Sequence, residues 1–223
     1  MPKWLKFIVG LLLLPACVGA ARTLARVINH SGRADTIWIA LLAGAACWLT
    51  VFCLLPKPMR LYVFGHELTH ALWTWLFGGR VKKFKATGNG GYVVVTKSNF
   101  LIALAPYFFP VYVALVIAAF AIGHLLWNWR NYIVFCHLFI GAAYAFHITL
   151  TFHILHTRQS DITSQGHLFS AVIIFLGNIF VLLVGIPLLT SEVTVSWAMR
   201  SWWIDTLAVF RWLPAVVLKS LGQ

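Results

Sequence analysis

Two histidines and a glutamate stand together in Gly65-His66-Glu67-Leu68-Thr69-His70, an H-E-x-x-H pattern inside an apolar segment from Leu61 to Phe77. On a helix, residues i and i+4 lie on one face about one turn apart. His66 and His70 can then reach one metal ion, and Glu67 points near it without having to bind it. Two imidazole ligands plus a carboxylate that takes a proton from water form the half-site of a zinc hydrolase. Such a centre uses three protein ligands and keeps one position for water. A third ligand must therefore come from elsewhere.

Acidic residues are scarce: Asp35, Glu67, Asp161, Glu192 and Asp205 are all there are. Asp35 precedes the segment that brings in the motif, and Glu192 and Asp205 lie at or beyond the last long apolar run. Asp161 lies between two apolar runs, among His153, His156 and His167. A carboxylate at such a helix junction can turn back towards the motif, which makes Asp161 the leading third ligand. It could instead cap the following helix or pair with Arg158. His147, His153 and His156 are rival ligands, although each taken singly could be a hydrogen-bonded core histidine.

The elements that must position these groups are membrane helices. Of 223 residues, 61% are hydrophobic and 10% charged, against about 25% charged in a soluble domain. The expected fold is an all-α polytopic membrane protein, one membrane domain over 1–223, with no room for a large soluble module. The net charge of +12 resides in short loops between apolar runs. Attraction to the lipid bilayer and the setting of topology explain it better than nucleic acid, which is not an expected partner. Cys17, Cys47, Cys53 and Cys136 sit within apolar runs and read as small buried hydrophobes. Nothing in the sequence sets the oligomeric state.

The apolar runs predict about six transmembrane helices: Trp4 to Ala21, Thr36 to Leu55, Met59 to Phe77, Phe100 to Trp127, Tyr132 to Leu155 and Leu168 to Leu189. The first could alternatively be a signal peptide. A polar loop is expected from Arg22 to Asp35. Pro106 and Pro110 predict a kink or a non-helical entry to the fourth helix. After the motif helix, Val81 to Ala86 and Tyr92 to Thr96 predict a short β-hairpin turning through Gly88-Asn89-Gly90-Gly91. It either crosses the headgroup region as a plain loop or offers an edge strand beside the site, to which an extended substrate can add. The tail, residues 191–223, carries Trp197, Trp202, Trp203 and Trp212 among Arg200, Asp205 and Arg211, and reads as a C-terminal interfacial amphipathic helix.

The H-E-L-T-H segment on a membrane helix, Gly78-Gly79, the hairpin ending Gly90-Gly91-Tyr92-Val93, a proline-bearing helix and a later aspartate together resemble the site-2 protease family of intramembrane zinc metalloproteases. The likeness is to its compact bacterial members without a regulatory domain, and it covers about residues 59 to 190 as a metalloprotease-like core. It implies Zn2+ held by His66, His70 and an aspartate, Glu67 as the base, a membrane-spanning peptide or protein as substrate, and residence in a bacterial inner (cytoplasmic) membrane. The family's second motif often reads N-x-x-P-x-P-x-L-D-G, and this chain departs from it. Aligned on Asp161, the asparagine place holds His153, the proline places His156 and Arg158, the leucine place Ser160 and the glycine place Ile162. Asp161 as third ligand therefore rests on position. Asn178 or a histidine of the fifth run could supply the missing asparagine contact.

The expected activity is endopeptidase cleavage of membrane-embedded helices, unwound and paired as a strand near Tyr92, Val93, Val94 and Val95. The competing reading is a non-proteolytic metal-binding membrane protein, a metal transporter or a pseudoprotease. Glu67 discriminates, because a protein that only binds or carries metal has no need of a carboxylate between the two histidines.

Overall fold

The computed structural model describes residues 1–220. The chain is mostly helical. In order it forms α1 (Lys3–Leu12), α2 (Leu14–Ser31), α3 (Asp35–Leu54), α4 (Met59–Leu76), β1 (Val81–Thr87), β2 (Gly90–Val95), α5 (Phe100–Leu104), α6 (Val111–Trp127), α7 (Ile133–Leu155), α8 (Ser160–Gln165), α9 (His167–Thr190) and α10 (Val195–Ser220). It divides into two compact units, one of residues 1–34 with 162–223 and one of residues 35–161.

Among the described residues, α3, the stretch Trp129–Leu155 and α9 are each long and apolar enough to cross a membrane. Two bent pairs raise the number to five if each is one span: α1 with α2, bent by 43°, and Phe100–Tyr107 with α6, bent by 79°. These correspond to five of the six expected spans. The motif helix α4 is not among them, because Arg60, His66, Glu67, Thr69 and His70 replace apolar side chains along it.

In the unit of residues 35–161, α3 lies along α7 at very close range. A Cβ on Gly44 would fall 1.8 Å from the Leu138 carbonyl oxygen, and one on Gly141 would fall 1.9 Å from that of Leu41. The seam is fastened where Trp48 Nε1 donates to Thr149 Oγ1 at 2.8 Å and the Trp48 ring tilts against Phe146. Tyr62 and Val63 of α4 join Phe146 and Leu150 of α7 in one buried cluster. α4 begins after Pro58 and ends where Gly78 takes φ +68, a conformation that favours glycine. The hairpin follows at once. β1 and β2 pair antiparallel with Thr87 opposite Gly90, so the loop is only Gly88-Asn89, shorter than the sequence pattern suggested. Pro106 and Pro110 do break the next helix: α5 passes into a 3-10 turn, Ala105–Tyr107, before α6 starts.

In the other unit the expected polar loop from Arg22 to Asp35 is largely absent, since α2 stays helical to Ser31. No glycine or proline lies between Arg22 and Gly32. Its polar groups are matched instead by α10: Thr23 Oγ1 donates to Asp205 Oδ2 at 2.7 Å, and Arg26 pairs with the same carboxylate. The tail is helical as expected. Trp202 Nε1 donates to the Ala16 carbonyl at 3.0 Å, so α10 is packed on α2 rather than resting on an interface by its tryptophans alone.

The α3–α7 contact gives a direct test of this packing. Gly141→Ala puts a methyl group into a backbone oxygen that no rotamer change can move, and should cost at least about 1–3 kcal/mol in detergent-solubilised unfolding. Gly185→Ala on α9, where a Cβ meets nothing within 4 Å, should be neutral or stabilising by up to about 1 kcal/mol.

Candidate metal centre

α4 presents His66 and His70 on one face, one turn apart, with ring centroids at 5.0 Å. Asp161, at the start of α8, reaches both: its Oδ2 lies 3.5 Å from His66 Nε2 and 3.5 Å from His70 Nε2. The three ligand atoms lie within 4.8 Å of one another, the one such group among the described residues. Donors held at 2.0–2.1 Å in a tetrahedron around zinc are about 3.4 Å apart, so this spacing fits a tetrahedral ion with little adjustment. His66, His70 and Asp161 form a possible metal site.

His70 and Asp161 are each held from behind by a hydrogen bond. His70 Nδ1 donates to the Ile102 carbonyl at 2.8 Å, which fixes the tautomer and leaves Nε2 for a metal. That carbonyl is available for a local reason. In a helix it would accept from the amide four residues on, and that residue is Pro106, which has none. Asn99 caps α5 by accepting from Ile102 N at 2.8 Å, which fixes the same residue through its amide. Asp161 Oδ2 accepts from the hydroxyl of Tyr107 at 3.2 Å, and that hydroxyl also lies 3.4 Å from Gln159 Oε1. Tyr107 is fully buried and meets the His66 ring edge to face at 5.2 Å. Burial works to raise the Asp161 carboxyl. Hydrogen bonds and attraction from His66 and His70 outweigh it and hold the group well below the usual carboxylate range.

Glu67 is buried, at 7% exposure, and backs onto the hairpin. A Cβ on Gly91 would fall 2.9 Å from Glu67 Oε1 and 2.6 Å from the Lys85 carbonyl oxygen, so β2 passes the carboxylate at a range only glycine permits. His66, Glu67, His70 and Asp161 all line one cavity of about 530 Å3, together with Asn89, Gly91, Tyr92, Val93, Val95 and Gln159 among others. The hairpin thus forms one wall of the site. Of the four residues expected to meet a substrate strand, Tyr92, Val93 and Val95 line this cavity, whereas Val94 is paired with Lys83 and is not part of the lining. Asn178 is not among the lining residues either. It lies on α9 in the other unit, where its Nδ2 donates to the Ile174 carbonyl at 2.9 Å.

The rival histidines do not join the group. His153 and His156 are exposed, and His156 Nδ1 donates to the Phe152 carbonyl. His147 is buried but outside the three-residue cluster. At about 100° per residue, His137, His147 and His153 point in three directions along α7, which does not make a metal-conducting lane.

The model of the Peptidase M50B-like family matches residues 36–157, more than half of the chain. The chain belongs to the Peptidase M50B-like family. This is a site-2 protease-related family, and membership points to a metallopeptidase acting on a protein substrate. The matched stretch begins earlier than residue 59, taking in α3, and stops short of α9; it coincides closely with the unit of residues 35–161. Neither a curated protein nor a solved structure matches the chain.

Sequence reasoning missed Tyr107, Gln159 and Asn99 as supports of this M50B-like site. For Tyr107 the signal was a phenol in the apolar run Leu101 to Val111, where a buried hydroxyl must find a partner. Tyr107→Phe keeps the ring against His66 and removes only the hydroxyl from Asp161. It should weaken binding of a divalent transition metal by about 10–100-fold, read by competition with a chelator, while helix content by circular dichroism stays unchanged.

Proposed function

We propose that this chain is a zinc-dependent intramembrane endopeptidase that hydrolyses peptide bonds of membrane-embedded substrate helices. The observation that carries the reading is the convergence of His66, His70 and Asp161 within 4.8 Å, in a cavity that Glu67 also lines. A protein that only stores or moves a metal has no use for a buried carboxylate held between the two histidines and a strand.

In this reading His66 Nε2, His70 Nε2 and an Asp161 oxygen hold Zn2+, and Glu67 is the base rather than a ligand. A zinc ion so held supplies a Lewis acid and makes water nucleophilic near neutral pH. Glu67 takes the proton of the attacking water and delivers it to the leaving amine. A helical peptide bond is enclosed by its own hydrogen bonds, so the substrate must unwind locally before it can be attacked. Main-chain groups of β2 from Tyr92 to Val95 can then receive it as an added strand. Gly91 favours this geometry, since it brings β2 against the Glu67 carboxylate with no side chain between them.

Purified protein should hold one zinc per chain, and His66→Ala or Asp161→Ala should lose it on dialysis against a weak chelator. Zinc retained by Asp161→Ala would remove that residue from the site. Glu67→Gln should keep its zinc and cut a membrane-helix substrate about 10²–10⁴-fold more slowly, measured by gel-based cleavage in proteoliposomes. Turnover at the parent rate would exclude Glu67 as the base.

A further inference from the structure

Among the described residues, five buried polar atoms on α4 and α7 have no hydrogen-bond partner; Thr74 Oγ1 stands apart, and the other four are Tyr62 Oη, His66 Nδ1, His147 Nε2 and Thr151 Oγ1. Tyr62 and His66 are four residues apart on α4, and His147 and Thr151 are four residues apart on α7. Each pair therefore shares one helix face. The two faces meet, since Tyr62 and Val63 pack into one cluster with Phe146 and Leu150. Tyr62 Oη sits beside Thr151 Oγ1 without closing a regular bond to it, and His147 lies within electrostatic reach of His66. The pairing is crosswise, Tyr62 with Thr151 and His66 with His147.

The two metal-site imidazoles are supported unequally. With Nε2 turned to a metal, each ring carries its proton on Nδ1, and that proton needs an acceptor. His70 has the Ile102 carbonyl. His66 has none, and its Nδ1 is buried. Across the interface stands the His147 imidazole, itself 6% exposed, with an Nε2 that has no partner.

We propose that His147 is the positioning residue for His66, its Nε2 linked to the Nδ1–H of His66 through one bound water that the Tyr62 and Thr151 hydroxyls also contact. The hydrogen-bond count closes. The water accepts from His66 Nδ1–H and from the Tyr62 hydroxyl, and donates to His147 Nε2 and Thr151 Oγ1. Four partners match the two to four that buried waters make. His147 then carries its own proton on Nδ1. This role explains why the histidine is buried against α4 and yet outside the ligand group. It rests on the zinc site proposed above.

The test uses the full chain in detergent with zinc alone as the probe. His147→Leu should weaken zinc binding about 10–100-fold in chelator competition, and His147→Gln, which restores an acceptor, should recover most of the loss. The Co2+-loaded form of His147→Leu should keep the intense visible bands of a four-coordinate site, and the metal-free variant should melt at the parent temperature. Unchanged zinc affinity in a folded His147→Leu chain would overturn the proposal. A Co2+ spectrum showing a lost ligand would overturn it too, by making His147 a ligand. If His147→Leu does not fold, Tyr62→Phe and Thr151→Val each remove one partner of the water while keeping shape. Both should weaken zinc several-fold, and parent affinity in both overturns the proposal. A parent chain that binds no zinc would overturn the functional reading itself, whereas a zinc-binding parent matched by all its variants overturns only the role of His147.

Discussion

Two imidazoles and a carboxylate gathered within 4.8 Å are a costly group to keep in an apolar helical unit unless each is oriented and partnered. Much of the architecture of residues 35–161 answers that constraint. Pro106 withholds an amide, and the Ile102 carbonyl it leaves open takes the His70 ring. Tyr107, in the same proline-broken turn, gives its hydroxyl to Asp161 and meets the His66 ring in a T-shaped contact. One short interruption of helix therefore touches all three members of the group. The break between α5 and α6, which would weaken an ordinary membrane helix, here lines a polar site, one of the settings in which non-helical backbone is tolerated at membrane depth.

The motif helix works because its faces have different neighbours. Tyr62, Val63 and His66 turn towards α7, where Phe146 and Leu150 close the core. Phe64 turns the other way, its ring edge to face with Phe84 of the hairpin. At about 100° per residue, Glu67 is rotated from His66 towards that second face, where Gly91 leaves room for its carboxylate. The sequence H-E-x-x-H thus sorts its residues by rotation alone. The histidines lie on the side that faces Asp161, and the acid lies between them and β2. In the proposed reading, a substrate strand laid along β2 would arrive on the acid's side.

Local spacing made His66, Glu67 and His70 legible, because i and i+4 on a helix need no knowledge of the rest of the fold. Glycine chemistry made the hairpin legible, and Pro106 with Pro110 made the kink legible. What the kink is for was not, since the use of the Ile102 carbonyl depends on which ring faces it, 32 residues away in sequence. The helical extent of α2 was hidden for the same reason. Arg22 and Arg26 look like loop charges until Asp205, 179 residues after Arg26, is known to lie beside it. Hydropathy also reads α4 poorly, because the residues that make it functional are those that lower its apolar character.

Asp161 shows how a position can matter without its motif. The family match ends at residue 157, and the places that hold asparagine and two prolines in the family's second motif are His153, His156 and Arg158 here, all exposed. None of them could orient the carboxylate. That work falls to Tyr107, from a different helix break, while Gln159 braces the turn by donating to Thr157 Oγ1 at 2.7 Å and to the Ile154 carbonyl at 3.3 Å. The chemistry asks only for an oxygen about as far from each imidazole as two ligands of one tetrahedral ion are from each other. The segment that delivers that oxygen departs from the family's usual motif here, and the carboxylate is held from another part of the fold by the buried Tyr107 hydroxyl.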